Sequence, residues 1–377
     1  MKQFAALFSL VLTLTLSQSA TAQNLEIYVS DATGNQIYKY DENGENGAVF
    51  IDSGELNWPQ DILFLEHLNE VLVTSLNSGR ITRHSISTGA YLGDFANGLP
   101  GPTRMEIGPD SLIYVIFWQS NSPVKRYEFD GTFVDDFTNT GNPLGIGFAF
   151  DDSLNFYTSS YGQGQNPPPY VRKYDASGQQ IGAFVSPSDL NGPVNIWFDK
   201  NGSKTLWVLD YNAGNIKEFD SLGAYQGILS SGLNFPEGVA FFPDNSFLIG
   251  NGGTGAVKHF DASGTFIEDL VLPNAAGLIR PNAVRIREAS NLGLVPSAFG
   301  DPTLIFQNTA GRSFKVAPKA AERFDAIRLI DASGNLVTTI DVQQGVWTAD
   351  SNASGHYFVL GMKNNAEVAR QKINIQR

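Results

Sequence analysis

One motif recurs six times in this 377-residue chain and limits what it can fold into more than any other feature. A Pro-x-x-apolar unit opens a short apolar run at Pro59-Gln60-Asp61-Ile62, Pro102-Thr103-Arg104-Met105 and Pro143-Leu144-Gly145-Ile146. It returns at Pro193-Val194-Asn195-Ile196, Pro236-Glu237-Gly238-Val239 and Pro281-Asn282-Ala283-Val284, with spacings of 43, 41, 50, 43 and 45 residues. Between these units runs an alternating strand that ends in an aromatic residue and an acidic turn. Copies are Ile37 to Gly44, Val124 to Gly131, Val171 to Gly178, Ile216 to Gly223 and Val257 to Gly264, and Ile81 to Gly89 is a degenerate one. Asp-x-x-Gly suits a hairpin, because Asp caps its own backbone two residues on and Gly supplies a positive φ. An aromatic follows two residues later and a large apolar residue four after that: Tyr91/Phe95, Phe133/Phe137, Tyr225/Leu229, Phe266/Leu270. That spacing predicts both side chains on one face of a strand.

Each period therefore holds about four short strands, the sequence signature of β-propeller blades. Six units predict six blades, and the 28 residues from Leu25 to Asp52 leave no room for a seventh. The chain enters at Leu25 to Val29 with the second strand of a blade, and no strand of the repeat follows Pro281 to Ile286. The last unit should therefore pair into the first blade and close the ring, removing free sheet edges. Composition agrees: 12% aromatic residues, 38 Gly and only 17% charged residues favour β-structure with tight turns. An open solenoid fits less well, since β-solenoid repeats are shorter.

Val29-Ser30-Asp31-Ala32-Thr33-Gly34-Asn35-Gln36-Ile37-Tyr38-Lys39-Tyr40-Asp41 resembles an NHL repeat, as does Leu206 to Asp220. Asp31 and Asp210 match the family's Asp, while Leu76, Gln119, Ser160 and Asn251 stand near that position in other copies. The resemblance covers Leu25 to Glu288 and implies a six-bladed propeller related to scaffolds, ligand-binding receptors and gluconolactonase-like or lyase enzymes.

The two ends read differently. Lys2, the uncharged run Phe4 to Leu16 and Ala20-Thr21-Ala22 have the layout of a secretory signal peptide over 1–22. The propeller is expected over 23–288 and a linker over 289–303. Short alternating strands over 304–377 suggest a small immunoglobulin-like β-sandwich. Ile327 to Val337, Ala353 to Leu360 and the basic final strand Arg370 to Arg377 resemble the C-terminal sorting domain of the type IX secretion system. The usual Tyr-Pro-Asn-Pro opening is absent. The resemblance implies export to the bacterial surface or medium, with the type IX machinery as partner of 304–377.

A formal charge of −13 argues against nucleic acid as a partner. No stretch is long and apolar enough to be a transmembrane helix, and a monomer is expected. The absence of cysteine excludes a thiol nucleophile or zinc-thiolate centre. The inner strands should line the axis, which makes Gln60, Arg104, Asn195, Glu237 and Asn282 the expected ligand-binding residues of an axial mouth. In a regular strand Asp61 would point away from Gln60. A second expected site is a lip formed by Trp118, Tyr161 and Tyr170, the two tyrosines flanking the Pro-rich insertion YGQGQNPPPY; it would suit a carbohydrate or peptide. No cofactor or metal is expected. Resemblance to gluconolactonases implies the alternative, a Ca²⁺ or Mg²⁺ held by Glu237 and Asn282, with Asn195 and Asp61 as further oxygen donors and Arg104 opposing a cation. His84 and His259 fall at equivalent repeat positions and are expected in packing roles. A non-catalytic binding module, a metal-dependent lactonase or lyase, and a structural surface component all remain open.

Overall fold

The computed structural model describes residues 25–288 except 120, 164–166 and 201–203, and then 305–307, 313–316, 324–331, 336–342, 345–348, 355–363 and 366–375. The expected signal peptide and linker lie outside the described residues. Residues 25–288 form a β-propeller of six four-stranded antiparallel sheets. The innermost strands are Pro59–Leu65, Pro102–Ile107, Gly145–Phe150, Pro193–Phe198, Pro236–Phe241 and Pro281–Glu288. Each neighbours the next in this order, and the last returns to the first. In five sheets the chain runs from the inner strand outwards. In the remaining one, the first in chain order, Pro281–Glu288 pairs with Leu25–Asp31, which precedes Gln36–Asp41 and Ala48–Ile51. Val29 stands opposite Val284 and Ile27 opposite Ile286, joining the two ends of the repeat region.

Two expectations on register need correction. In the fourth sheet the residue facing the end of the second strand is Gly145, opposite Ser160, just as Pro59 faces Ser75. Pro143 is therefore not the counterpart of the other prolines. The spacings become 43, 43, 48, 43 and 45 residues, and Leu144 and Gly145 lie before the axial positions. On the outermost strands the four-residue pairs do not share a face. His84 pairs with Tyr91, Arg83 with Gly93, Thr82 with Asp94 and Ile81 with Ala96, so two bulges break the alternation. Tyr91 is 41% exposed and Phe95 5%.

The acidic turns form as the chemistry requires. Asp175 Oδ1 accepts from the backbone of Ser177 (2.9 Å) and Gln179 (3.0 Å). Gly178 sits at φ +81°, and a Cβ there would lie 2.0 Å from the Phe137 carbonyl. Apolar side chains fill the gaps between sheets, as where Trp197 and Trp207 meet Phe241 and Phe247. The C-terminal strands form a four-stranded sheet from Leu336–Ile340, Ala326–Asp331, Gly355–Lys363 and Ala366–Ile375, and a three-stranded one from Ile305–Gln307, Ser313–Val316 and Val346–Thr348. Trp347 on the smaller sheet meets Tyr357 on the larger at 6.4 Å between ring centroids.

Candidate functional site

Every inner strand begins with the same irregularity. Pro102 faces Phe117 but Met105 faces Val115; Pro193 faces Asp210 but Ile196 faces Val208; Pro236 faces Asn251 but Val239 faces Ile249. One extra residue is thus inserted on the inner strand, a β-bulge that turns successive side chains towards the same side. Gln60 and Asp61 consequently both line the axial cavity, against the expectation from regular alternation. Thr103, Arg104, Ile146, Asn195, Glu237 and Arg285 line it too. The space between them is only about 10 Å³, room for roughly one water.

The lower part of the axis is a self-satisfied polar plug. Arg285 donates from Nη2 to Asp61 Oδ1 (2.6 Å) and from Nε to the Ile62 carbonyl (2.7 Å). Asp61 Oδ2 accepts from the Met105 backbone at 2.9 Å, which ties the second sheet to the third. Arg104 Nη1 donates to Asn195 Oδ1 at 2.7 Å, and Asn195 Nδ2 donates to the Glu237 carbonyl. Arg104 Nε is buried with no acceptor. Burial, then the nearby Arg285, lowers the affinity of this guanidinium for its proton.

Above the plug, Glu237 is held by two amides. Gln60 directs its amide nitrogen to Glu237 Oε1 (2.5 Å) and its oxygen to Trp58 Nε1 (2.8 Å). The Asn282 amide approaches Glu237 Oε2 at 2.8 Å and the Gln60 amide at 3.1 Å. If Glu237 is neutral, its proton goes to Asn282 Oδ1, and Asn282 Nδ2 serves Gln60 Oε1 and, at 3.5 Å, the Pro59 carbonyl. If it is ionised, Asn282 must reverse, and two amide oxygens then face each other across 3.1 Å. The protonated arrangement satisfies every group. Burial pushes the carboxyl up to about 7, with the Asp61 charge adding to the rise and Arg280 and Gln60 opposing it.

Around this carboxyl stands an aromatic arc. Trp118 and Tyr161 lie 5.5 Å apart between centroids, Tyr161 and Tyr211 5.9 Å, and Tyr211 stacks on Phe235 at 5.0 Å. Arg280 joins the arc to Trp58: it donates to Tyr211 Oη at 2.5 Å and lies 5.0 Å from the Trp58 ring centre. Gly252 leaves it space, since a Cβ there would meet Arg280 Cγ at 3.3 Å. These residues occupy two repeated positions. In each sheet the residue after the second strand donates its backbone N–H to the residue that enters the inner strand. The pairs are Ala32 to Arg280, Leu76 to Trp58, Trp118 to Gly101, Tyr161 to Leu144, Tyr211 to Gly192 and Gly252 to Phe235. The accepting position has positive φ in five sheets. Gly101 and Gly192 adopt it freely, but Trp58, Leu144 and Phe235 hold it at +59°, +54° and +49°. Left-handed backbone at a bulky residue costs about 1 kcal/mol or more and concentrates at functional sites.

The five residues expected at the axis are therefore all there, but at two depths: Gln60, Glu237 and Asn282 at the mouth, Arg104 and Asn195 in the plug. Trp118 and Tyr161 stand together in the arc. Tyr170 does not belong to the lip: it opens the third strand of the fourth sheet, Tyr170–Tyr174, is 6% exposed and lies beneath Arg172 at 4.1 Å. Trp58, Tyr211, Phe235 and Arg280 fall outside the repeat motifs. Their signal is the large residue directly before Pro59, Pro236 and Pro281, and the aromatic directly after Asp210. His84 is buried, bonded to the Gly89 carbonyl and to Thr82 Oγ1, and His259 packs against Phe242. Both are packing residues away from the axis.

A resident Ca²⁺ or Mg²⁺ does not fit the donors at the mouth. Such ions favour several oxygen ligands with carboxylates among them. Here Glu237 is alone, its two amide neighbours are bonded to it and to each other, and Asp61 is paired with Arg285. Among the described residues no three His, Cys, Asp or Glu converge on a point.

No protein-family model matches the chain, and no curated protein does. Solved structures do. A chain of a nidogen/laminin complex is similar with TM-score 0.56 at 16% identity, over 70% of this chain and 98% of that one. A candidate gluconolactonase is similar with TM-score 0.50 at 12% identity, over 70% and 86%. Virginiamycin B lyase from Staphylococcus aureus gives TM-score 0.48 at 14% identity, over 64% and 79%. The first two carry the propeller fold.

Proposed function

We propose that this chain is an exported six-bladed propeller that binds a ligand at its axial mouth without transforming it. The observation that carries the reading is the arc of Trp118, Tyr161, Tyr211 and Phe235 with Arg280 and Trp58. Two of these large side chains, Trp58 and Phe235, are kept on left-handed backbone where the sister positions Gly101 and Gly192 use glycine. A plugged axis beneath an aromatic rim offers a docking surface, not a deep reaction chamber. Flat aromatic faces with polar edges suit a carbohydrate or a peptide. Export rests on the signal-like residues 1–22, and 304–377 acts as an immunoglobulin-like type IX sorting domain. The similarity to a chain of a protein–protein complex is compatible with a binding role.

The test is Phe235→Gly beside Tyr161→Ala, screened with the unaltered chain on glycan and peptide arrays. Relief of strain at φ +49° and the extra chain entropy of glycine offset each other, so Phe235→Gly should change stability by less than about 1 kcal/mol. Retention should fall at least about tenfold in both variants. Unchanged retention would remove the rim from the binding site.

A further inference from the structure

The charge around the mouth gives the ligand a chemistry, and this step rests on the binding reading above. We propose that the mouth takes an acidic oligosaccharide, a hexuronate chain whose carboxylate is received by Arg280 while a sugar ring lies on the Tyr211–Phe235 pair. The chain as a whole carries −13, yet its axis gathers three guanidiniums, those of Arg104, Arg280 and Arg285, against two carboxyls, Asp61 and Glu237. Asp61 is committed to Arg285. The bonding at Glu237 is complete when that group is neutral. The mouth is thus locally positive on an acidic protein, and Arg280 is its outermost cation.

Arg280 also has no acid partner, a state it shares among the described residues with the buried Arg104, which bonds to Asn195, and with Arg172, which bonds to the Gly141 carbonyl. Arg80, Arg83, Arg126, Arg285 and Arg287 each have a carboxylate within 3.2 Å. Among the described residues Arg280 forms no ion pair; its side chain bonds to a neutral phenol and lies on an indole. Those two contacts hold the guanidinium plane in place, which is the preorganisation a bidentate carboxylate contact needs. Phe235 beside it is 46% exposed and stacked at 26° on Tyr211, a platform for the apolar face of a sugar. An acidic peptide fits less well. Peptide capture leans on unpaired main-chain groups, and the backbone N–H after every second strand is already taken at this rim.

The experiment is calorimetric titration of the full chain with a galacturonate oligosaccharide and with its methyl ester, the same sugar without the charge. The acid should bind about 10- to 100-fold more tightly, the scale of a hydrogen bond to a charged group. Arg280→Gln should abolish that difference, so that acid and ester bind the variant alike; Arg280→Lys, which keeps the charge and loses the fork, should recover part of it. Melting of each variant controls for folding, since the Arg280 backbone bond to Asp31 survives either substitution. Equal affinity for acid and ester overturns the proposal. If that shared affinity falls in Phe235→Gly, the rim reading stands alone; if it does not, both fall. Failure of both sugars to bind overturns the proposal, as does tight binding of an aspartate-rich peptide in their place.

Discussion

Asp31→Ala should loosen the ring at its closure before anywhere else. The carboxylate is wholly buried and accepts four backbone N–H groups: Thr33 and Gly34 at 2.9 Å and Arg280 at 3.1 Å on Oδ1, and Ile279 at 2.8 Å on Oδ2. Two donors belong to its own turn, and two come from the segment that leads into the closing strand almost 250 residues later. A bond to a charged acceptor contributes about 1.5–3 kcal/mol, and an orphaned buried donor costs about 1–3 kcal/mol. The four share one acceptor and some donors will regain water, so the contributions do not add. The expected loss is about 3–5 kcal/mol, the range for removing one partner of a buried charged contact. Asp31→Asn keeps one oxygen but turns an amide N–H on a backbone N–H, and should lose about half as much. Urea unfolding gives the magnitude, and hydrogen exchange gives the place. Amides of 25–31 and 281–288 should exchange faster than those of the other sheets. Asp210→Ala is the control, because its acceptors serve Asn191, Ala213 and Lys217 within one sheet. A loss below 1 kcal/mol for Asp31→Ala, or faster exchange spread evenly over all sheets, would refute the reasoning.

Glu237 should make stability fall as pH rises. Its carboxyl moves from the ordinary 4.5 to about 7 in the folded state, so between those values the folded chain holds more protons than the unfolded one. The contribution is greatest below pH 4.5 and is lost by pH 7 and above, at most about 3 kcal/mol. Glu237→Gln should narrow the gap between melting temperatures at pH 5 and pH 8, and an unchanged gap would place the titration elsewhere. Arg285→Ala leaves Asp61 buried without its cation and should lower the urea midpoint by the equivalent of about 3–5 kcal/mol; a change under 1 kcal/mol would mean the plug relaxes around the loss. Deleting 304–377 should leave the chain in the periplasm of its host by cell fractionation, and continued appearance at the surface would end the sorting reading.

Much of the propeller was legible because its local chemistry repeats. Pro at the inner strand and Asp-x-x-Gly at the outer hairpin answer backbone needs that recur in each sheet. Register was less legible. Pro143 imitates the motif while Gly145 holds the structural place, and only pairing with Ser160 distinguishes them. The axial residues could be named but not oriented, because the bulge that turns Gln60 and Asp61 together is invisible in a two-residue period. The aromatic arc escaped for another reason. Trp58, Tyr211 and Phe235 lie outside the strands, and the left-handed backbone that directs Trp58 and Phe235 is one that no apolar pattern reports. Tyr170 misled in the opposite sense: proximity to a Pro-rich loop suggested exposure, but it is a strand residue under Arg172.

The pairing of Leu25–Asp31 with Pro281–Glu288 has a consequence in time. A ribosome releases the earlier strand first, and its partner follows about 250 residues later, roughly 10 to 50 seconds at ordinary synthesis rates. Throughout that interval the first sheet has a raw edge, and the circle has no last link. Such a polypeptide can complete its circle only when its final propeller segment arrives.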